Sequence, residues 1–170
     1  TSPQGFRASG VTAGLKASGS PDVALVVNDG PRHDSASVFT SNRCLANPVL
    51  WSQQVVQDGV VRAVFLNSGG ANCYTGPEGF QTTHAVAERV AEHLGIGAID
   101  VVVCSTGLIG LANDRAQVLS GADAAAAALA ASGGPDAARA IMTTDTVPKQ
   151  TLVEGAGWSV GGMAKGAGLP

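Results

Sequence analysis

The sequence predicts a mixed α/β fold in one domain spanning residues 1–170. Three observations carry that expectation. Short β-branched runs recur, each bounded by Gly, Asn, Asp or Pro, as strands closed by turns are. Other segments repeat their apolar residues with the period of a helix. No internal repeat or long linker divides the chain.

Taken in order, the strand-like runs are Val23–Val27, Ala36–Thr40, Val60–Leu66 and Ile99–Cys104. The third and fourth are nearly continuous in apolar residues, the pattern of strands covered on both faces. Between them, Gln81–Gly95 places Val86, Val90 and Leu94 at i, i+4 and i+8, with Glu88, Arg89, Glu92 and His93 on the other side. This is an amphipathic helix, and Gly95 is its natural stop. A second helix is expected from about Asp114 to Ala131, with Val118, Ala122, Ala125 and Leu129 on one face. A short third is expected in Pro135–Met142, where Pro135 suits a first turn. Two further strands are expected in Thr151–Glu154 and Gly157–Gly162.

Charged residues make up 14% of the chain, against about 25% in an ordinary domain. So few charges suggest either a surface partly covered by another chain or an Ala- and Gly-rich bias. The net charge is −3 and no run of Lys or Arg occurs, which argues against nucleic acid and anionic membrane as partners. No apolar stretch approaches the ~20 residues that span a bilayer. The opening TSPQGFRASG lacks an apolar signal region, so a cytoplasmic protein is expected. Cys44, Cys73 and Cys104 lack CxxC spacing and read as reduced, buried thiols. His33, His84 and His93 are scattered and offer no metal-ligand spacing, so no metal is expected.

Four polar, Gly-rich segments lie where predicted elements end. Asn67–Gly79 (NSGGANCYTGPEG) joins a strand to the amphipathic helix, a layout that can present backbone N–H groups to an anion. It is neither a P-loop nor a GxGxxG fingerprint, and it reads equally as a structural turn. Cys104–Gly110 (CSTGLIG) follows a buried strand. A Thr-Gly step there can offer a hydroxyl and an unhindered N–H to a developing oxyanion, or make a plain turn. Ile141–Lys149 (IMTTDTVPK) gathers Thr143, Thr144, Asp145 and Thr146, donors and acceptors that also build turns. The closing Gly161–Pro170 (GGMAKGAGLP) carries Lys165 on a bare loop, where it can meet a carboxylate, depress the pKa of a neighbouring amine or stand solvated. No Ser, Cys or Thr sits in a recognisable nucleophile frame such as GxSxG. Donors and a cation are present without a group to attack.

In order and spacing, NSGGAN, CSTGLIG, AIMTTDTVPK and GGMAKGAG resemble the ornithine acetyltransferase family of arginine biosynthesis, over nearly the whole chain. GFRASGVTAGLKASG and VFTSNR look like that family's opening strands. The resemblance implies a precursor that cuts itself between Ala and Thr shortly after a KGxGM-type loop. This chain would be the α chain, and a β chain would carry the new N-terminal Thr as nucleophile. The implied reaction is ping-pong transfer of acetyl from N2-acetylornithine to glutamate, with acetyl-CoA as a further possible donor and no cofactor. By position, Thr106 and Gly107 correspond to the oxyanion-hole pair, and Thr143 and Lys165 to substrate-binding residues. The implied fold is an α/β sandwich of stacked sheets between helix layers, similar to but topologically distinct from N-terminal-nucleophile hydrolases. Its core would be shared with the β chain in an α2β2 assembly. The chain departs from the family pattern in three places: LAND replaces a Leu-Pro segment after TGLIG, NCYTG stands for NACTG, and the tail after Lys165 is short. Two other readings of the same residues are a self-processing aminopeptidase of related fold and a non-enzymatic domain binding an anionic metabolite.

Overall fold

The computed structural model describes residues 1–167. The expected cleavage point beyond Lys165 lies outside the described residues. In chain order the elements are β1 (Phe6–Val11), β2 (Val23–Asn28), α1 (Asn47–Val55), β3 (Ala63–Gly70), α2 (Gly76–Leu94), β4 (Val101–Leu108), α3 (Arg115–Ala127), α4 (Gly134–Ala140), β5 (Lys149–Gly155) and β6 (Trp158–Ala164).

Strands β1 to β4 form one sheet in sequence order. The first two pairings are antiparallel, and β3 with β4 is parallel. Side-chain alternation splits each strand between two layers. Val23, Leu25 and Val27 of β2, Phe65 of β3 and Val101 and Val103 of β4 point to one side. There they pack with Trp51 and Val55 of α1, Val86 and Val90 of α2 and Val118 and Ala122 of α3. Ala8 and Ala24 point to the other side and meet Ala137, Ala140 and Ile141 at α4, whose small residues let it lie close to the sheet. The amphipathic segment forms α2 as predicted, and Gly95 ends it in the left-handed conformation at φ 64°. Strands β5 and β6 make a separate antiparallel hairpin.

Several expectations change. Ala36–Thr40 is not a strand, and neither is the VFTSNR stretch that overlaps it. The outer edges of the sheet lie at β1 and β4 and are engaged by Ala130 and by α1, so this β-branched run pairs with neither, and Val38 is 98% exposed. Conversely, α1 forms where no helix was expected, and its buried face combines apolar packing with side-chain hydrogen bonds to β4. Trp51 Nε1 donates to the Val101 carbonyl at 2.9 Å. Ser52 Oγ donates to the Val103 carbonyl at 2.8 Å and accepts from the Val103 N–H at 3.2 Å. These side chains satisfy the outer edge of β4, which would otherwise be open. At the opposite edge, Ala8 and Ala130 exchange two backbone hydrogen bonds of 3.0 Å. The second helix therefore stops at Ala127, short of the expected Ala131, because the chain after it is recruited to β1.

The largest revision concerns the ends of β3 and β4. The polar segments expected to be loops continue the ladder, with Asn67 opposite Ser105 and the pairing running to Gly70 and Leu108.

Candidate active site

Thr106 and Gly107 therefore lie within β4, opposite Ser68 and Gly69 of β3. The Ser105 hydroxyl donates to Asn67 Oδ1 at 2.5 Å and ties the two polar ends together. Gly107 has φ 129°, a conformation other residues rarely adopt. A Cβ there would lie 2.5 Å from the carbonyl atoms of Gly69, so the two backbones approach more closely than any side chain allows. The result is a bare peptide surface beside the half-buried Thr106.

Register partners share a sheet face, so Thr106 lies on the side of Ser68. That side leads to the other two sequence-predicted residues. Ser68 Oγ donates to the Ala140 carbonyl at 2.6 Å, at the end of α4. Lys16 Nζ donates to the same carbonyl at 3.3 Å and to that of Pro21 at 2.7 Å. Burial lowers the Lys16 pKa, opposed by the charges of Asp22 and Asp145. The loop bearing Lys16 is itself held by Asp22, fully buried, whose carboxylate accepts the N–H groups of Ala13, Leu15 and Lys16 at 2.6, 2.6 and 3.1 Å.

Three residues beyond Ala140 stands Thr143, half-buried. Its N–H donates to Asp145 Oδ2 at 3.0 Å. The other oxygen, Oδ1, accepts from Lys149 Nζ at 2.5 Å and from the Gly166 N–H at 2.6 Å. Lys165, exposed, immediately precedes Gly166. One carboxylate thus brings the Thr143 and Lys165 segments together. The Asp145 side chain has 0% exposure, enclosed by the donors it binds rather than by deep apolar packing. The Lys149 hydrogen bond, then those from Thr143 and Gly166, hold its pKa far below the usual carboxylate range, and desolvation opposes them only weakly.

Asp145, Ser68 and Lys16 are the residues that sequence reasoning missed. Asp145 stood in a segment read as a turn, and an Asp among threonines carries that signal. Its contact 21 residues away, with Gly166, has no local trace. The NSGGAN loop is largely engaged with itself. Asn72 Nδ2 donates to the Gly79 carbonyl and Thr83 Oγ1, both at 2.9 Å, and Asn72 Oδ1 accepts from Thr75 Oγ1 at 2.6 Å. These bonds set the first turn of α2 and make the structural reading of this loop the better supported.

All three cysteines are free, but only Cys73 is buried; Cys44 and Cys104 are exposed, against expectation. Cys104 points to the sheet face that α4 leaves open over β4, although nearby protein atoms still raise its thiol pKa by desolvation. Among the described residues, no group of three or more His, Cys, Asp or Glu is placed to hold a metal, and no helix is long and apolar enough to cross a membrane. A cavity of about 790 Å³ separates the β5–β6 hairpin from α4 and the start of the chain, lined by Phe6, Val26, Pro135, Val160 and Met163 among others. None of the four sequence-predicted residues lines it.

The fold is the mixed α/β fold of solved ornithine acetyltransferase structures. The chain superposes on an ornithine acetyltransferase from Mycobacterium tuberculosis, solved in complex with ornithine. The TM-score is 0.96 and the identity 54%, over 99% of this chain and 92% of that one. It also superposes on an arginine biosynthesis bifunctional protein ArgJ from Bacillus halodurans, with a TM-score of 0.89 and 33% identity, over 99% and 90% of the two chains. The chain belongs to the ArgJ family, whose profile matches residues 7–169. It is 61% identical to the arginine biosynthesis bifunctional protein ArgJ of Streptomyces coelicolor and 59% identical to ArgJ 1 of Streptomyces clavuligerus. It spans 99% of its own length in these matches but only 44% of theirs.

Proposed function

We propose that this chain is the α chain of a self-cleaved acyltransferase that moves acetyl from N2-acetylornithine to glutamate in arginine biosynthesis. Thr106 and Gly107 form its oxyanion hole, and Thr143 and Lys165 bind substrate. The observation that carries this reading is the convergence of the Thr143 and Lys165 segments, through Asp145, on the sheet face that bears Thr106.

The chemistry follows from what these groups can do. The attacking hydroxyl belongs to the N-terminal Thr of the β chain, whose own α-amine, with a pKa of about 8, accepts the proton. As the hydroxyl adds to the acetyl carbonyl, negative charge grows on oxygen. The Gly107 N–H, fixed by the paired strand, and the Thr106 hydroxyl beside it receive that charge. Collapse expels ornithine, which takes the proton. The amine of glutamate then attacks the acetyl-enzyme and restores the Thr. Excluding water is essential at that stage, since hydrolysis competes. Acetyl-CoA can enter as a donor at the same step, and no cofactor is needed.

Support for a partner chain comes from the surface. Every residue of β5 is exposed, as are Leu108, Ile109 and Leu111 after the Thr-Gly step, at 68, 69 and 48%. Exposed apolar residues of this kind, among them Leu152 and Val153 of β5, are the surface a partner chain can cover. In this reading the β chain stacks on that face, completes a sandwich with a shared core and pairs with a second copy as α2β2.

The test is to supply the purified full-length protein with acetyl-labelled N2-acetylornithine and glutamate, and to analyse it by intact mass and N-terminal sequencing. Labelled acetylglutamate and a second chain beginning with Thr are expected. Release of free acetate without transfer, or cleavage of a β-peptide supplied instead, would overturn the assignment in favour of a hydrolase.

A further inference from the structure

We propose that Asp145 is a positioning residue whose carboxylate clasps the Thr143 and Lys165 segments into one geometry for substrate; the substrate role rests on the function proposed above. Little packing holds the Lys165 segment. It follows β6, which among the described residues pairs only with β5. Every position of β5 is exposed, and in β6 only Ser159 and Met163 are half-buried. The cavity lies beneath this hairpin, so packing from the sheet gives it limited support.

Asp145 sits at the open end of the hairpin, where Lys149 begins β5 opposite Ala164, the last residue of β6. Its two oxygens reach three separate stretches: the Thr143 N–H, the Lys149 ammonium at the entry to β5, and the Gly166 N–H just past the exit from β6. Hydrogen bonds to an ionised acceptor are roughly twice as strong as neutral ones, and a shielded carboxylate cannot trade them for water. The carboxylate is engaged by these groups and not by the Lys165 ammonium. Lys165 therefore keeps its charge for a ligand while its backbone is held one residue away. Ala140, gripped by Ser68 and Lys16, anchors the other side of the same loop to β3.

The test compares the full-length processed protein with its Asp145→Asn and Lys149→Met variants. Asp145→Asn preserves shape but removes the charge and turns an N–H₂ toward one donor. Amide hydrogen exchange at Thr143 and Gly166 should accelerate together, with β4 and α2 unchanged. KM for N2-acetylornithine should rise about tenfold or more while kcat stays within about threefold, the pattern of lost ground-state binding. Lys149→Met leaves the carboxylate accepting from both backbone N–H groups and should raise KM by only about two- to fivefold, the smaller loss expected from removing one charged partner. That variant decides the matter if Asp145→Asn does not fold. Unchanged exchange at Gly166 overturns the clasp, and accelerated exchange with unchanged KM overturns its role in substrate positioning. If wild type transfers no acetyl at all, the function reading fails instead, and the clasp is decided by exchange alone.

Discussion

Thr106 holds its hydroxyl beside a backbone that has no freedom to move away, because β3 and β4 pair on either side of it. Thr106→Val keeps the β-branched shape and removes only the donor. Turnover should fall on the order of 10²-fold, the usual effect of losing one oxyanion donor, with KM little changed. A rate within twofold of wild type removes Thr106 from that role. Gly107→Ala is a different perturbation: it puts a Cβ against Gly69 at a φ of 129°. Denaturant unfolding should show a loss on the order of 1–3 kcal/mol, the scale of a strained backbone position. Asp145 adds a pH signature. Its folded pKa is depressed below the ordinary 3.8, so its stabilising effect is fully present above that value. The effect is lost as pH falls from there through the lower folded pKa. The difference in melting temperature between wild type and Asp145→Asn should be constant from about pH 7 to 5 and shrink below about pH 4, since an unfolded Asp titrates near there.

Among the elements, α1 shows why local pattern fails. Its buried face, Pro48, Trp51, Ser52 and Val55, mixes core packing with hydrogen bonds from Trp51 and Ser52 to β4, so its apolar stripe is short and broken. The Asn-Pro start was the one available signal, a helix-initiating step that the surrounding residues obscured. Ser52→Ala should cost about 1–3 kcal/mol in denaturant unfolding, because it strands the buried N–H and C=O of Val103 together. Ala36–Thr40 fails in the opposite sense. Its composition is that of a strand, but strands need an edge to pair with, and the edges at β1 and β4 are engaged by Ala130 and by α1. By contrast α2, with its strong apolar period, was legible as a helix with its Gly95 stop, although it begins at Gly76, five residues before the expected Gln81. The site was legible as four polar segments in order, while their convergence was not. The parallel pairing that carries Thr106 beside Ser68 joins residues 38 positions apart.

For the whole molecule, the sparse charge and the exposed apolar residues point the same way. Leu152, Val153, Trp158 and Val160 of the hairpin are all exposed, at 42, 52, 57 and 57%, and the cavity beneath them is unfilled by this chain. If the proposed β chain shares this core, the chain expressed alone should aggregate or bind a hydrophobic dye strongly. Co-expression with that β chain should suppress both. Sharp, cooperative thermal unfolding of the isolated chain, without dye binding, would count against a shared core.

Sequence alone determined the mixed α/β class, the amphipathic α2, the closing strands and the four segments whose order and spacing resemble the family. These depend on neighbours within a few turns or on motifs read in line. Tertiary structure alone decided that Thr106 and Gly107 lie inside a strand rather than in a loop, that α1 exists, and that Asp145 joins Thr143 to Lys165. Each of those depends on a hydrogen-bonding partner far along the chain, and a partner's position is a property of the folded molecule.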